Sequence, residues 1–333
     1  MRVAINGFGR IGRLVYRTLR HRRPEIEVVA INDLTDPGTN AHLLKYDSNY
    51  GQLDATIESG EDFISVDGQH ISIFAQREWE KLPWHRLDID VTIESTGFGA
   101  KRELAAKHLE AGSNKVIISA PSNDADIMVV LGVNEDAYDP ANHAIISNAS
   151  CTTNGLAPAV KVVHDTFGIV KGQMTTVHAY TGTQSVVDTA QNDLRDARAA
   201  ALNIVPAATG AARAIGQVIP TLNGKLDGAA YRVPTSTVSI VEFVVLLTQE
   251  TSAEAINNAL REAASTNLKG ILSVSDEPLV SSDLRGNEHS SIVDSASTMV
   301  VDGNLAKVSA WYDNEWGYAS RLADITHYVG SST

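Results

Sequence analysis

The chain contains 333 residues, of which 43% are hydrophobic and 20% are charged, a composition that supports two domains with separate cores. Its formal net charge of −13 argues against a general binder of nucleic acid or anionic membranes, and no apolar run is long enough to span a membrane. The single cysteine excludes an internal disulfide framework, and the first residues lack a signal-peptide pattern, so we expect a cytoplasmic protein.

A dinucleotide-binding pattern fills the first forty residues. An apolar strand at residues 3–5 runs into NGFGRIG at residues 6–12, and apolar residues then recur with helical spacing. A second strand at residues 28–31 leads to Asp33, 21 positions after Gly12. Because the glycines lie between a strand and a helix, and an acid ends the next strand, the segment predicts a dinucleotide site. The alternative is a glycine-rich turn in an unrelated α/β fold.

The three glycines of this segment have separate predicted tasks. Gly7 permits a tight turn, Gly9 lets the backbone approach a pyrophosphate, and Gly12 lets the helix pack closely on the strand. The amino end of the helix then faces the phosphates, and Asp33 can accept hydrogen bonds from the adenosine ribose.

Strand and helix patterns continue to alternate after this segment. Strands are indicated at residues 91–93, 115–119 and 127–131, and a helix at residues 101–111. The alternation predicts a mostly parallel sheet with helices on both faces, whose ligands bind at the carboxyl ends of the strands. Thr96 and Ser119 occupy such ends.

The segment SNASCTTN at residues 147–154 holds Cys151, the one cysteine. It follows a strand pattern at residues 144–146 and precedes a helix pattern at residues 156–167, which places the thiol at or near a helix amino end. Free N–H groups and the positive end of the helix dipole favour a thiolate there, so the segment indicates a nucleophile. The alternative is a buried structural cysteine.

The second half of the chain has a different character. Strands are indicated at residues 170–178, 229–233 and 237–248, helices at 253–264 and 315–328, and a hairpin with an Asp-Gly turn signal from 299. Residues 180–203 form a long polar loop without a period, which is typical of a functional or interfacial segment. This half therefore predicts an antiparallel sheet with helices.

Candidate partners for the thiol and for anions lie in this half. His178 ends a strand just before the long loop, and its position makes it the preferred partner of Cys151 among ten histidines. Four residues suit anion binding, either at a helix start or through positive charge: Thr209, Gly210, Arg195 and Arg232. No second cysteine and no HExxH spacing is present, so we expect no zinc or other metal site.

Together these motifs resemble those of phosphorylating glyceraldehyde-3-phosphate dehydrogenases, and the resemblance covers the whole chain. The matching segments are AINGFGRIGR at 4–13, SCTTN at 150–154, HAYT at 178–181, TGAA at 209–212, RVP at 232–234 and WYDNE at 311–315.

The resemblance implies an α/β fold with two domains. The first is a Rossmann-type, doubly wound parallel sheet at residues 1–150 and 314–333. The second is an α+β catalytic domain with a mostly antiparallel sheet at residues 151–313, including an S-loop at 180–203. It also implies a homotetramer in which the S-loop lines a neighbouring subunit's cofactor site. The acidic net charge separately predicts neither nucleic acid nor membrane as a partner.

The resemblance also implies the chemistry: glyceraldehyde 3-phosphate, NAD and inorganic phosphate give 1,3-bisphosphoglycerate. Cys151 forms a hemithioacetal and then a thioester, while His178 supports the thiolate and takes the hydroxyl proton. The implied cofactor residues are Gly7, Gly9, Arg10, Ile11, Gly12, Asp33, Arg77, Thr96, Ser119 and Asn314. The implied residues for the substrate phosphate are Thr181, Thr183, Arg195 and Arg232, and those for the attacking phosphate are Ser150, Thr152, Thr209 and Gly210.

The chain departs from common family patterns at two places. Gly155 stands where many relatives carry a second cysteine, which leaves the chemistry intact and removes one route of oxidative cross-linking. Thr189 and Ala190 replace the bulkier pair of NAD-selective relatives, whereas Asp33 repels a 2′-phosphate. We therefore expect NAD as the preferred cofactor, with measurable use of NADP.

Two other functions stay open on the sequence. The enzyme alternative is an erythrose-4-phosphate dehydrogenase, a close relative, although residues 179–184 look more like the triose enzyme. The alternative from another class is a catalytically silent NAD-binding regulatory or RNA-binding protein, against which the retained Cys151, His178, Arg195 and Arg232 argue.

Overall fold

The computed structural model describes residues 1–332 of the chain. These residues divide into two units. The first unit comprises Met1–Val129, Asp136–Ala149 and the described residues from Ala319 onward, and the second comprises Val130–Glu135 and Ser150–Tyr318.

The helices and strands follow one another along the chain as the two patterns require. The helices are α1 (Arg10–Arg22), α2 (Pro37–Lys45), α3 (Arg102–Glu110), α4 (Cys151–Phe167), α5 (Ala211–Val218), α6 (Ala253–Ser265) and α7 (Trp316–Ser331). The strands before α4 are β1 (Arg2–Asn6), β2 (Glu27–Asn32), β3 (Tyr46–Asp47), β4 (Gly51–Gln52), β5 (Ile57–Ser59), β6 (Phe63–Val66), β7 (Gln69–Phe74), β8 (Val91–Glu94), β9 (Lys115–Ile118), β10 (Ile127–Met128) and β11 (Ile145–Ser147). Those after it are β12 (Ile169–Ala179), β13 (Val205–Ala207), β14 (Leu226–Val233), β15 (Ser239–Leu247), β16 (Leu272–Ser275), β17 (Ser291–Asp294), β18 (Met299–Val301) and β19 (Leu305–Tyr312).

The main sheet of the first unit is parallel over most of its width. Its strand order is β10-β11-β9-β8-β1-β2-β7-β6-β5, and only the pairings of β7 with β6 and β6 with β5 are antiparallel. The order reverses at β1, which has β2 on one side and β8 on the other. Asn6 lies in register with Asn32 and with Glu94, so three strands end together at this switch point. Ligands of doubly wound sheets bind at such a place.

Burial explains why α1 and α7 form and pack in this unit. Leu14, Val15 and Leu19 of α1 are almost fully buried, and they recur at the spacing of one helix face. The Thr18 hydroxyl donates to the carbonyl of Ala319 in α7 at 3.2 Å. Asp324 of α7 also accepts from the guanidinium groups of two arginines at the end of α1, at 2.9 and 3.0 Å. From Ala319 onward, α7 therefore belongs to the first unit.

The second unit contains a sheet of a different kind. Its order is β13-β14-β12-β15-β19-β17-β16, with β18 paired to β19, and only the pairings of β12 with β14 and β16 with β17 are parallel. Burial alternates strictly along β15, from Ser239 to Leu247, as expected when one face of a sheet covers a core. Helices α4 and α6 pack against each other, and α4 also contacts β17 and β19. The predicted α/β fold class, with a Rossmann-type sheet and a mostly antiparallel second sheet, is confirmed.

The structure corrects several predicted bounds. Helix α4 starts at Cys151, five residues before the predicted start at Leu156, because Ser150 caps it: its side chain accepts from Thr153 N. The strand predicted at 127–131 is only Ile127–Met128. Short strands such as β5, β6, β13, β16 and β17 were not predicted, since two to four residues are too few to show a period.

No helix within residues 1–332 is long and apolar enough to cross a membrane.

We predict that Gly12→Ala destabilises the first unit by about 1–3 kcal/mol, because a Cβ on Gly12 would lie 2.1 Å from the carbonyl oxygen of Gly7. This overlap outweighs the gain of roughly 1 kcal/mol that alanine brings to a helix. Gly9→Ala is the control, since a Cβ there meets no atom within 4 Å. Urea unfolding compares the two variants, and equal midpoints would contradict the expectation.

Candidate active site

The turn between β11 and α4 places the single thiol. Ala149 has a positive φ of 55°, a conformation that alanine rarely adopts and that stores strain. Ser150 then caps the helix, so Cys151 is its first residue. The backbone N–H groups of a first helical turn have no partner within the helix and carry its positive dipole end. This local geometry presents the thiol where negative charge is favoured.

Cys151 and His178 lie in direct contact. The Cys151 Sγ atom is 3.4 Å from Nε2 of His178, which is buried near the end of β12. The other ring nitrogen, Nδ1, is 2.7 Å from the carbonyl oxygen of Ala179. The Ala179 carbonyl suits a proton on Nδ1, whereas the Nη1 group of Arg232, which only donates, faces the same atom and suits a bare nitrogen. The tautomer with its proton on Nδ1 is the one that leaves Nε2 free to accept a proton.

Arg232 supplies the positive charge next to this pair. The parallel pairing of β12 with β14 sets Arg232 in register with His178, and its Nη1 contacts Nδ1 of the ring. Nη1 also donates to the Ala179 carbonyl at 3.2 Å. Burial, and then the charge of Arg232, lower the pKa of His178 to about 3, so the ring is neutral near pH 7.

The thiol experiences opposing influences. Burial raises the pKa of Cys151, while the charge of Arg232 and contacts from Thr152 lower it. Burial prevails, so the thiolate that the helix terminus alone was expected to favour is the less stable form in this structure. A neutral thiol beside a neutral imidazole is a nucleophile with its base in place.

Three hydroxyl groups form a buried hydrogen-bonded cluster that includes Thr152, the residue after Cys151. The buried Tyr312 oxygen lies 2.8 Å from the Thr152 hydroxyl and 2.9 Å from the Thr176 hydroxyl. Thr176 in turn donates to the carbonyl of Ile240 at 3.1 Å, so it accepts from Tyr312. The Tyr312 ring lies against Gly155, where a Cβ would come within 2.9 Å of it. Gly155, which stands where many relatives have a cysteine, therefore allows the ring of Tyr312 to pack closely against the helix backbone.

The other phosphate candidates are distributed over several elements. The hydroxyls of Thr181 and Thr183 lie 3.0 Å apart at the start of the long loop. Thr209 accepts from Ala211 N at the start of α5, beside the exposed Gly210. No hydrogen bond within residues 1–332 joins Arg195, Thr209 or Gly210 to the catalytic pair. The structure thus brings Cys151, His178 and Arg232 together, and it leaves Arg195 exposed in its loop.

The first unit has a cleft of about 500 Å³ at the carboxyl ends of its central strands. The predicted residues that line it are Gly7, Gly9, Asp33, Arg77 and Thr96. Gly7 has φ of 90°, and a Cβ there would lie 2.6 Å from Thr96 N, so no other residue fits this turn. Space above Gly9 is open, which leaves the backbone before α1 bare toward the cleft. A dinucleotide pyrophosphate suits such a bare helix amino end.

Backbone donors hold the acidic residue of the cleft in place. Asp33 accepts from Phe8 N at 2.6 Å and from Thr35 N at 2.8 Å. The Arg10 guanidinium is directed instead to Asp47, with an N–O distance of 2.5 Å. The remaining predicted cofactor residues, Ile11, Gly12, Ser119 and Asn314, do not line the cleft.

Comparison with known proteins now identifies the family. Residues 1–102 match the family model of the glyceraldehyde 3-phosphate dehydrogenase NAD binding domain, and residues 150–314 match that of the C-terminal domain. The chain is 55% identical to glyceraldehyde-3-phosphate dehydrogenase 1 of Bacillus subtilis (strain 168), over 99% of this chain and 98% of the relative. The chain belongs to the glyceraldehyde-3-phosphate dehydrogenase family.

Other relatives of this family agree with the assignment. Glyceraldehyde-3-phosphate dehydrogenase of Geobacillus stearothermophilus is 55% identical over 99% of this chain and 98% of its own length. The protein of that name from Streptomyces coelicolor is 52% identical over 99% of both chains. The family resemblance drawn from the sequence is confirmed, and NAD is the cofactor of the matched N-terminal domain.

Sequence reasoning missed residues that hold the predicted ones in place. The Ser239 hydroxyl accepts from Ala179 N at 3.0 Å and donates to Oδ1 of Asn314 at 3.1 Å. It follows Val238, whose φ of 67° is an outlier for a β-branched residue. Tyr312 lies in the WYDNE motif, but the motif assigns it no role, and no sequence signal marks Ser239.

We predict that Tyr312→Phe lowers the free energy of unfolding by about 1–3 kcal/mol, because it leaves the buried hydroxyls of Thr152 and Thr176 without their shared partner. Tyr46→Phe is the control, since Tyr46 is 47% exposed and its loss of a hydroxyl changes stability little. Urea unfolding measures both variants. An equal effect of the two substitutions would rule out the buried hydroxyl contact as a stabilising one.

Proposed function

We propose that this protein oxidises glyceraldehyde 3-phosphate, with NAD and inorganic phosphate, to 1,3-bisphosphoglycerate through a thioester on Cys151. The observation that carries the proposal is the 3.4 Å contact between Sγ of Cys151, at a helix amino end, and Nε2 of the neutral His178. Family membership supports the same oxidoreductase reaction.

The first step is attack of Cys151 on the aldehyde carbon. A C–S bond forms, the C=O double bond opens, and the thiol proton moves through His178 Nε2 to the former carbonyl oxygen. The product is a hemithioacetal with a hydroxyl group. His178 suits the transfer because its ring is neutral and Nε2 faces the sulfur.

The second step converts the hemithioacetal to a thioester. The hydroxyl proton passes to Nε2 of His178 as the C–H bond breaks with its electron pair. NAD, when bound, supplies the acceptor for that hydride. An oxygen of inorganic phosphate then attacks the thioester carbonyl, and the C–S bond breaks. Cys151 leaves as a thiolate that regains a proton from His178, and the proton of the attacking hydrogen phosphate is released to water.

Two groups of residues are proposed to bind the phosphates. Thr181, Thr183, Arg195 and Arg232 are assigned to the substrate phosphate, and Ser150, Thr152, Thr209 and Gly210 to the attacking phosphate. The adjacent hydroxyls of Thr181 and Thr183 and the charge of Arg232 beside His178 support the first group. The helix starts at Ser150 and Gly210 support the second.

The glycine-rich turn and its neighbours are proposed to hold NAD. Gly7 is assigned to the tight turn, Gly9 to the approach of the pyrophosphate and Gly12 to close packing of the helix on the strand, while Arg10 and Ile11 are assigned to the rest of the cofactor. The further cofactor residues are Asp33, Arg77, Thr96, Ser119 and Asn314. Oδ1 of Asn314 already accepts from Ser239, so its amide N–H groups are the ones assigned to the nicotinamide carboxamide. The proposed domain bounds are 1–150 with 314–333, and 151–313.

Exposed apolar side chains support a homotetramer. The loop at residues 180–203 carries Val186, Leu194 and Leu202 with more than 80% of each side chain exposed. Such a concentration in an irregular loop is unfavourable in water and indicates that another subunit covers it.

We predict that Cys151→Ser abolishes NADH formation and that His178→Asn lowers the rate by about 10²–10⁴-fold. Serine is far less ionised than cysteine, and asparagine cannot accept the hydroxyl proton. The assay follows the absorbance of NADH with glyceraldehyde 3-phosphate as substrate. A parallel assay with erythrose 4-phosphate tests the alternative enzyme function. His70→Asn, an exposed histidine, is the control. Substantial turnover by Cys151→Ser would exclude the covalent mechanism.

We predict a preference for NAD over NADP of roughly tenfold or somewhat more, because a 2′-phosphate meets the carboxylate of Asp33. Asp33→Asn keeps an acceptor for Phe8 N while removing the charge, so the ratio of kcat/KM for NADP to that for NAD rises about tenfold. Asp62→Asn is the exposed control. An unchanged ratio in Asp33→Asn would remove Asp33 as the selectivity residue.

We predict a tetramer in light scattering, and Leu194→Glu shifts it toward smaller species because a charge cannot be buried cheaply in an apolar contact. Val280→Glu, at a side chain 58% exposed outside this loop, is the control and keeps the parent mass. A parent protein that stays monomeric at working concentration contradicts the proposal.

A further inference from the structure

A buried acid lies beside the cofactor cleft and has no part in the steps above. Glu94 ends β8 and is 2% exposed. Its Oε1 accepts from the N–H of Thr96 at 2.9 Å and from the Thr96 hydroxyl. Its Oε2 accepts from Nδ2 of Asn6 and faces Nε2 of His108 at 3.3 Å. Four donors therefore converge on two oxygens, an arrangement that a carboxylate satisfies because it only accepts.

Trp84 determines which atom is the donor in the contact between His108 and Glu94. The indole N–H of Trp84 donates to Nδ1 of His108 at 3.2 Å, and an indole nitrogen can only donate. Nδ1 is thus the acceptor, and the ring proton is on Nε2, toward Glu94. Trp79 stacks on the same ring with centroids 5.0 Å apart and an angle of 11°. The imidazole, which is fully buried, has one orientation.

The network continues from Glu94 to the wall of the cleft. Oδ1 of Asn6 accepts from Nδ2 of Asn32 at 2.7 Å, and Oδ1 of Asn32 accepts from Gln76 N at 2.8 Å. On the other side the Thr96 hydroxyl accepts from Phe98 N at 3.0 Å, so its own proton goes to Glu94. The residues of this network that line the cleft are Asn6, Asn32, Gln76, Trp79, Thr96 and Phe98.

We propose that Glu94, oriented by His108, is a positioning residue for the cofactor: it fixes Thr96 and Asn6 on two sides of the NAD cleft and thereby sets NAD affinity. The inference rests on the proposed function in that NAD is the ligand of this cleft. Neither Glu94 nor His108 lines the cleft, so both act through the residues they hold.

The first test is Glu94→Gln with NAD titrated by calorimetry. Glutamine keeps the shape of the side chain but replaces one acceptor oxygen with an NH₂ donor. This donor would face either the N–H and hydroxyl of Thr96 or the donors of Asn6 and His108. We expect the Kd for NAD to rise on the order of tenfold or more, as for a lost hydrogen bond to a charged group. The KM for NAD rises in parallel, whereas kcat at saturating NAD changes little. Glu103→Gln, an exposed acid on α3, is the matched control.

The second test keeps Glu94 and changes the residue behind it. His108→Gln offers an amide oxygen to Trp84 and an N–H group to Glu94, whereas His108→Leu offers neither. We expect His108→Gln to retain NAD affinity to within about threefold and His108→Leu to lose on the order of tenfold. This pair decides the question if Glu94→Gln fails to fold.

A double-mutant cycle of Glu94→Gln with Thr96→Val tests whether the acid acts through Thr96. We expect the Kd effects of the two changes to combine to less than their product. A Kd within twofold of the parent in Glu94→Gln, independent effects in the cycle, or equal Kd values for the two His108 variants would overturn the proposal. A parent protein that binds no NAD would instead refute the proposed function.

Discussion

The proposed chemistry depends on a close contact between the partly buried thiol of Cys151 and the neutral imidazole of His178. Burial alone would make either charged form costly, and it moves the pKa of Cys151 up and that of His178 down to about 3. The charge of Arg232 lowers the pKa of both groups, since it disfavours the imidazolium and favours the thiolate. The parallel register of β12 with β14 sets this cation beside the ring, so sheet pairing determines the acid–base properties of the pair.

Strained backbone marks both ends of the region that holds this pair. Ala149 and Val238 have positive φ, and each precedes residues whose side chains have defined tasks. Ser150 follows Ala149 and caps α4, while Ser239 follows Val238 and joins Ala179 N to Asn314. Strain of this kind costs roughly 1–3 kcal/mol and persists where surrounding contacts determine the conformation. Its position next to the proposed catalytic and cofactor residues agrees with the assigned reaction.

Buried polar groups restrict the side-chain conformations of both units. In the second unit the Tyr312 hydroxyl joins Thr152 to Thr176, and in the first unit the Glu94 carboxylate joins Asn6, Thr96 and His108. Each group would destabilise the fold if it lacked partners, so such networks permit few alternative side-chain arrangements. The cleft of the first unit and the thiol are therefore each bordered by side chains with little freedom to move.

Features that short stretches of sequence encode were predictable before folding was considered. The spacing of Gly7, Gly9 and Gly12 between a strand and a helix marked the dinucleotide turn, and the alternation of elements gave the α/β class, because periodicity and backbone requirements act over short distances. The motifs around Cys151 also indicated the family, which the comparisons confirm. Short strands such as β5 and β13 escaped prediction because they carry too few residues to show a period.

Contacts between side chains that are distant in sequence became visible only in the folded chain. His178 was chosen over nine other histidines on its position, but its contact with Cys151 and with Arg232 spans 27 and 54 residues and depends on sheet pairing. The roles of Glu94, His108 and Ser239 have no local signature, since each is defined by partners far along the chain. The charge states of the thiol and the imidazole were likewise beyond the sequence, because burial sets them and burial exists only in the folded protein.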